Sequence, residues 1–255
     1  MSIVWGPRVK KALCMAAVLV LACASRAGEV RVAVAANFTA PMQRIAAAFE
    51  QDTGHRAVVA FGATGQLFAQ ISNGAPFDVL LSADQATAQR LEVNKLAVAG
   101  SRMTYATGQL ALWSAQPGLI NGSADILRTG QFDTIALANP KLAPYGVAAH
   151  EVLTHLGLTT ALMPKMVEGA SIGQTYQFVA TGNATLGFVA LSQVSHNGQV
   201  ANGSVWVVPG PLHTPIAQDA VLLQRARANE AAMALMRYLR SPAARTIIQS
   251  FGYTV

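Results

Sequence analysis

Hydrophobic residues along the chain follow two alternating patterns. Short apolar runs rich in valine, leucine and alanine are typical of buried strands, and they predict strands at residues 29–35, 56–61, 77–82, 109–114, 134–138, 185–190 and 204–208. Between them, apolar residues recur at the spacing i, i+3, i+4 and i+7, which is one face of a helix, as in Met42, Ile45, Ala46 and Phe49. Because strands and helices alternate, the pattern predicts an α/β fold with mostly parallel sheets covered by helices.

Two proline- and glycine-rich segments, Pro117-Gly118 and Pro209-Gly210-Pro211, indicate a lobe inserted into the middle of the chain. The predicted division is lobe I at residues 28–106 and 211–255, and lobe II at residues 107–210. The segments that cross between the lobes, near 104–108 and 209–216, are expected to act as hinges with a ligand cleft between the lobes.

The first 27 residues have the pattern of a secretory signal peptide. A basic start is followed by an apolar stretch at 12–22, too short to span a bilayer, and by the small-residue pattern Ser25-Arg26-Ala27. We therefore expect an exported, periplasmic protein that begins near Gly28. The alternative is a lipoprotein signal acylated at Cys23, a pattern that Leu21 fits poorly. The two cysteines, Cys14 and Cys23, both lie in this segment, so the processed chain would form no disulfide.

The charge balance gives no support for nucleic-acid binding. Four of the 18 basic residues lie in the predicted signal peptide, which leaves 14 basic residues against 12 acidic ones. Basic residues do not cluster with interleaved aromatic residues, as they do on surfaces that bind nucleic acid.

Four predicted helix starts combine small, hydroxyl or amide residues with an absence of charge. They lie at Asn37 in "AANFTAPM", at Thr64 in "FGATGQL", at Tyr145 in "APYGVAAH" and at Ile172 in "GASIGQTY". In open α/β sheets such starts lie at the carboxyl ends of strands, where unpaired N–H groups attract anions. Each start taken alone favours an ordinary helix cap without a ligand, with Thr64 a good N-cap, and only the set of four uncharged starts indicates a binding site. Two starts in each lobe could face one another across the cleft.

Catalytic motifs are weak in comparison. The segment "HEVLTH" resembles a zinc-binding motif, but His150 and His155 are five residues apart and diverge on a regular helix. Asp78 and Asp84 are expected at opposite ends of one strand, and the chain has no nucleophile-elbow or phosphate-loop motif. We therefore predict a binding protein rather than an enzyme, with no cofactor. An exported enzyme on a similar scaffold stays open as a distant alternative.

Five segments in register carry a resemblance to a known family. They are "AANFTAPMQRIAAAFE", "NGAPFDVLLSADQ", "LANPKLAPYG", "TLGFVALSQV" and "YLRSPAARTIIQSFGYTV". Their order and spacing over nearly all of the predicted mature chain resemble the periplasmic molybdate-binding proteins of ABC importers. These belong to the two-lobed type II solute-binding superfamily, in which each lobe is a sheet flanked by helices. The resemblance implies a monomer that binds molybdate or tungstate and delivers it to a membrane permease.

The resemblance also implies which residues bind the oxyanion. The ligand positions of the family match the four uncharged helix starts, at Ala36, Asn37, Thr64, Tyr145 and Ile172. The chain departs from many members in having Ala190 where they have a tyrosine, and the phenol is therefore expected from Tyr145.

Molybdate and tungstate are dianions whose oxygens only accept hydrogen bonds, so a ring of neutral donors suits them and disfavours protonated phosphate. A type II protein for another ligand, such as sulfate or a small organic anion, is the second interpretation.

Overall fold

The computed structural model describes residues 27–255. The predicted signal peptide and the alternative acylation site at Cys23 lie outside the described residues, apart from Ala27. In chain order the strands are β1 (Glu29–Ala35), β2 (Arg56–Gly62), β3 (Val79–Leu81), β4 (Met103–Gly108), β5 (Leu110–Ser114), β6 (Ile135–Ala138), β7 (Met166–Gly169), β8 (Leu186–Ala190), β9 (Ser195–His196), β10 (Gln199–Val200), β11 (Ser204–Val207) and β12 (Ile216–Leu222). The α-helices are α1 (Thr39–Thr53), α2 (Thr64–Ser72), α3 (Gln85–Val93), α4 (Asp125–Thr129), α5 (Pro144–His155), α6 (Thr159–Leu162), α7 (Ile172–Ala180), α8 (Leu191–Val194), α9 (Glu230–Tyr238) and α10 (Pro242–Ser250).

The larger strands form two separate five-stranded sheets. One sheet has the order β2-β1-β3-β12-β4 and is built from both ends of the chain, and the other has the order β11-β5-β8-β6-β7. We call the parts built on them lobe I and lobe II. Helices flank both sheets, so the predicted two-lobed α/β fold is confirmed. The short strands β9 and β10 form a separate hairpin.

Both sheets are mixed, whereas the sequence predicts mostly parallel ones. In lobe I, β1 pairs in parallel with β2 and β3, but β12 is antiparallel to β3 and β4. In lobe II, β6 is parallel to β7 and β8, but β5 is antiparallel to β8 and β11. The antiparallel strands β4, β5, β11 and β12 are those through which the chain passes between the lobes. Their direction is therefore set by the crossing rather than by a right-handed strand–helix–strand unit.

The two crossings are short. Gln109 joins β4 to β5, and residues 208–215 join β11 to β12. The segment near 104–108, predicted as a hinge, belongs to β4, which is held in the lobe I sheet by hydrogen bonds to β12. The residue that crosses directly follows this segment, and the hinge stays a prediction. Strand β12 was missed because Gln218 and Asp219 interrupt its apolar run, and both are almost fully buried. The β4–β12 register shifts between these two residues, as at a β-bulge.

Each lobe has its own hydrophobic core. In lobe I, the predicted face of α1 is buried, and Met42, Ile45 and Phe49 are fully inaccessible among residues of β1, α9 and α10. In lobe II, the buried face of α5 packs with strand residues such as Leu137 and Phe188. A fully buried side chain of this size stabilises the fold by roughly 1.5–3 kcal/mol. Within residues 27–255, every helix is too short or too polar to cross a membrane.

Candidate functional site

The four uncharged helix starts converge on one cavity between the lobes. Each follows the carboxyl end of a strand, with β1 and β2 leading to α1 and α2 in lobe I, and β6 and β7 leading to α5 and α7 in lobe II. The structure brings all five predicted site residues to the wall of this cavity: Ala36, Asn37, Thr64, Tyr145 and Ile172. The remaining lining residues are Ala35, Gly62, Ala63, Ala83, Ala143 and Pro144, so none of the described residues that line it is charged.

The cavity is small, and the two lobes are in direct contact beside it. The volume open to the centre of a water-sized sphere is about 10 Å³, which is roughly the room for one water molecule. The Gly65 N–H of lobe I donates to the Leu142 carbonyl of lobe II at 2.9 Å, and Ser192 Oγ donates to the Asn37 carbonyl at 2.9 Å. A larger cleft of about 470 Å³ by the same measure adjoins the cavity at Thr64 and Pro144.

Asn37 does not cap the first helix. It lies in a 3-10 turn, Ala36–Phe38, that leads into α1, and the side chain makes no capping hydrogen bond. Its amide nitrogen Nδ2 instead donates to Gln218 Oε1 at 2.8 Å and to the Tyr253 hydroxyl at 3.0 Å. Its amide oxygen Oδ1 is buried and has no hydrogen-bond partner among the described residues. The capping interpretation of Asn37 was therefore wrong, and the amide belongs to a buried polar network.

Gln218 of β12 is the centre of that network, and the sequence analysis missed it. Its Oε1 accepts hydrogen bonds from Asn37 and from the Tyr105 hydroxyl, at 2.8 and 3.0 Å, and its Nε2 donates to the Tyr145 hydroxyl at 3.3 Å. The Tyr253 hydroxyl joins the network through the same Asn37 Nδ2 group. The signal in the sequence was a polar pair inside the apolar run "PIAQDAVLL", since a buried glutamine requires partners.

The three phenols of the network stay protonated well above neutral pH. Burial raises the pKa of Tyr145 and of Tyr105 well above the usual 10, and the neighbouring Tyr253 raises both further. Burial also raises the pKa of Tyr253 to about 12, against the lowering effect of its hydrogen bonds to Ser192 and Asn37. The phenols therefore act as neutral hydrogen-bonding groups and add no negative charge beside the cavity.

Thr64 opens α2 as its first helical residue, while Ala63 occupies the N-cap position. The sequence-based assignment of Thr64 as the cap was therefore wrong. The Thr64 hydroxyl oxygen accepts a hydrogen bond from the Ala83 N–H at 3.1 Å, which fixes the side chain and leaves its O–H proton able to donate to another acceptor. The Thr64 N–H lies in the first turn, where no intrahelical acceptor exists.

Tyr145 and Ile172 place two more first-turn N–H groups at the cavity. Tyr145 follows Pro144 at the start of α5, and its side chain is 1% exposed. Ile172 is the first residue of α7, after the N-cap Ser171, whose hydroxyl accepts from the Gln174 N–H. First-turn N–H groups of helices carry partial positive charge and suit an anion.

The candidate catalytic residues have structural partners elsewhere. Asp78 lies just before β3, and its carboxylate accepts a hydrogen bond from the Arg31 N–H. Asp84 lies after β3, where its side chain caps the start of α3. On α5, His155 Nδ1 contacts the Glu151 carbonyl. Within the described part of the chain, histidine, cysteine, aspartate and glutamate residues do not group as they would around a metal ion.

Comparison with known proteins agrees with this geometry. Residues 30–254 match the family model described as bacterial extracellular solute-binding protein. The molybdate-binding protein ModA of Azotobacter vinelandii is 56% identical over 91% of this chain and 92% of its own length. The chain belongs to the ModA family. The ModA of Rhodobacter capsulatus is 48% identical over 95% of this chain and 94% of its own length.

The solved structures show the same fold as this ModA-family chain. The periplasmic molybdate-binding protein of Azotobacter vinelandii superposes with a TM-score of 0.85 and 40% identity, over 89% of this chain and 99% of that one. The chain therefore shares both sequence and two-lobed architecture with solute-binding proteins, and the resemblance found in its sequence is confirmed.

Proposed function

We propose that the cavity binds a fully deprotonated tetrahedral oxyanion, molybdate or tungstate. The observation that carries the proposal is the lining of the cavity, which combines helix starts from both lobes with no charged side chain among residues 27–255. The N–H groups of Thr64, Tyr145 and Ile172, together with the Thr64 hydroxyl and Asn37, would replace the hydration shell of the anion. A carboxylate in this ring would repel the dianion, and the described part of the chain places none there.

A ring of neutral donors would also select fully deprotonated anions over protonated ones. A protonated phosphate carries an O–H that needs an acceptor, whereas molybdate and sulfate have acceptors only. Selection of molybdate over the smaller sulfate would then rest on the size that the cavity takes around the bound anion, which must exceed the room for one water found in this structure. The relatives named molybdate-binding support this choice of ligand over sulfate or a small organic anion.

The proposed role is capture and delivery without chemical conversion of the ligand and without a cofactor. As an exported, monomeric protein in the periplasm, it would present the anion to the permease of an ABC importer. The proposed boundaries of the lobes are near residues 107 and 210. The lobes would open by bending at Gln109 and at residues 208–215, where the chain crosses between the sheets. Closing would bring Gly65 back to Leu142, as in the structure.

Molybdate and tungstate should each raise the melting temperature of the purified protein. A ligand that binds only the folded state adds about 2.7 kcal/mol at a hundredfold excess over Kd, which corresponds to roughly 5–10 °C for a chain of this size. The measurement is thermal unfolding with equal concentrations of molybdate, tungstate, sulfate and phosphate. Sulfate and phosphate should cause little change. A shift with sulfate as large as that with molybdate would refute the proposed ligand.

A further inference from the structure

The orientation of the Asn37 amide depends on Gln218. In the structure, Asn37 Nδ2 faces Gln218 Oε1, while the unpartnered Oδ1 belongs to a residue that lines the cavity. A carbonyl oxygen is a poor neighbour for a dianion, because both groups only accept hydrogen bonds. If Asn37 alone made a half-turn about its terminal torsion, its oxygen would meet Gln218 Oε1 at the present 2.8 Å separation, acceptor against acceptor.

The conflict disappears when both amides turn together. Gln218 Nε2 then donates to Asn37 Oδ1 and to the Tyr105 hydroxyl, while Gln218 Oε1 accepts from the Tyr145 hydroxyl. Each new hydrogen bond takes the place of a present one: the Asn37–Gln218 bond at 2.8 Å, the Tyr105–Gln218 bond at 3.0 Å and the Tyr145–Gln218 bond at 3.3 Å.

Tyr105 and Tyr253 have partners in the turned arrangement as well. The Tyr105 hydroxyl retains the Ser82 carbonyl as its acceptor. The Tyr253 hydroxyl, which now donates to the Asn37 carbonyl or to Ser192 Oγ, can donate to Asn37 Oδ1 instead, because Ser192 Oγ still donates to that carbonyl. The one group left without a partner is Asn37 Nδ2, a donor on a residue that lines the cavity.

We propose that Gln218 is a positioning residue for the ligand, which acts by holding the Asn37 amide with its nitrogen toward the bound anion. The inference rests on the proposed function, since the dianion is what favours the turned pair. Gln218 does not touch the ligand in this scheme. It converts the wall of the site from acceptor to donor because an amide can both donate and accept.

The variant Gln218→Glu tests the inference at a pH where its carboxyl is ionised, since a carboxylate cannot donate to Asn37 Oδ1. Because burial favours the protonated acid, which can donate, the titration is repeated at rising pH until the affinity no longer changes. Glutamate retains the size of the side chain and its acceptors for Tyr105 and Tyr145, but it forces Asn37 Nδ2 to stay turned away from the anion. In calorimetric titration with molybdate we expect affinity to fall on the order of tenfold or more, the value of a hydrogen bond to a charged group.

A double-mutant cycle separates this effect from simple charge repulsion. In the Asn37→Ala background there is no amide to orient, so adding Gln218→Glu should weaken binding by a clearly smaller factor than in the parent. An equal factor in both backgrounds would overturn the inference. Failure of the parent to bind molybdate would instead contradict the proposed function.

Nitrogen-15 NMR of the parent gives a second test that needs no folded Gln218 variant. The side-chain NH₂ signals of Asn37 are assigned by their loss in the Asn37→Ala variant. Those of Gln218 are assigned in glutamine-labelled protein by their through-space contacts with Tyr105 and Tyr145. Both pairs should shift together on saturation with molybdate, because both amides change partners. A bound form in which the Asn37 signals move and the Gln218 signals do not would contradict the coupled turn.

Discussion

Replacing Asn37 with aspartate should weaken molybdate binding by more than any other single change at the cavity. The substitution keeps the shape of the side chain but exchanges its only donor for a negative charge beside a dianion. Loss of a hydrogen bond to a charged group costs roughly 1.5–3 kcal/mol, and the repulsion adds to that. Calorimetric titration should therefore show affinity reduced by a factor on the order of a hundred or more.

Asn37→Ser is the matched control, because serine keeps a short side chain with a donor. It should lose much less affinity than Asn37→Asp. Thermal melting of the ligand-free variants shows how much of each change belongs to the fold, since Asn37 also bonds Gln218 and Tyr253. If Asn37→Asp binds molybdate about as tightly as the parent, Asn37 does not donate to the ligand.

Gly146→Ala should damage both the fold and the site. Gly146 is in the first turn of α5, directly after Tyr145, and a methyl group there would overlap the backbone carbonyl of Ala138 at the end of β6. Because neither backbone segment can yield as a side chain would, the start of α5 must move. We expect a loss of about 1–3 kcal/mol in the free energy of unfolding, measured by urea denaturation, and at least tenfold weaker molybdate binding as Tyr145 is displaced.

Gly173→Ala is the corresponding control in α7. This glycine is also in the first turn of a helix, but a methyl group there would meet Ala36 Cβ only at 3.4 Å, an ordinary contact. The free energy of unfolding of the Gly173→Ala protein should be unchanged, or raised by up to about 1 kcal/mol, because alanine has a better helix propensity than glycine. Equal destabilisation by the two substitutions would show that the overlap with Ala138 is not what Gly146 avoids.

The sequence predicted the helix starts well because their chemistry is local. A strand followed by small and hydroxyl residues, as at Thr64, indicates a helix start wherever the rest of the chain lies. The strand before Ile172, β7, was not predicted, and that start was predicted from Ser171, Ile172 and Gly173 alone. Convergence of these starts on one cavity did not follow from any one of them. It required the α/β rule that strand ends share an edge, together with the family resemblance.

The partners in the polar network could not be predicted from the sequence, because they are far apart along the chain. Asn37 meets Gln218 and Tyr253 only after the C-terminal segment returns to lobe I. Gln218 interrupts the apolar run of β12, and the hydrophobic pattern therefore predicted no strand there. The burial of Gln218 is tolerable only because Asn37, Tyr105 and Tyr145 satisfy its amide, and such compensation is visible only in three dimensions.

The most direct test of the account is the position of molybdenum in crystals grown with molybdate, located by anomalous scattering at its absorption edge. The account predicts one strong peak inside the cavity bounded by Asn37, Thr64, Tyr145 and Ile172, with only neutral donors within hydrogen-bond distance of the oxygens. A peak in the adjoining 470 Å³ cleft, or no peak at saturating molybdate, would contradict it.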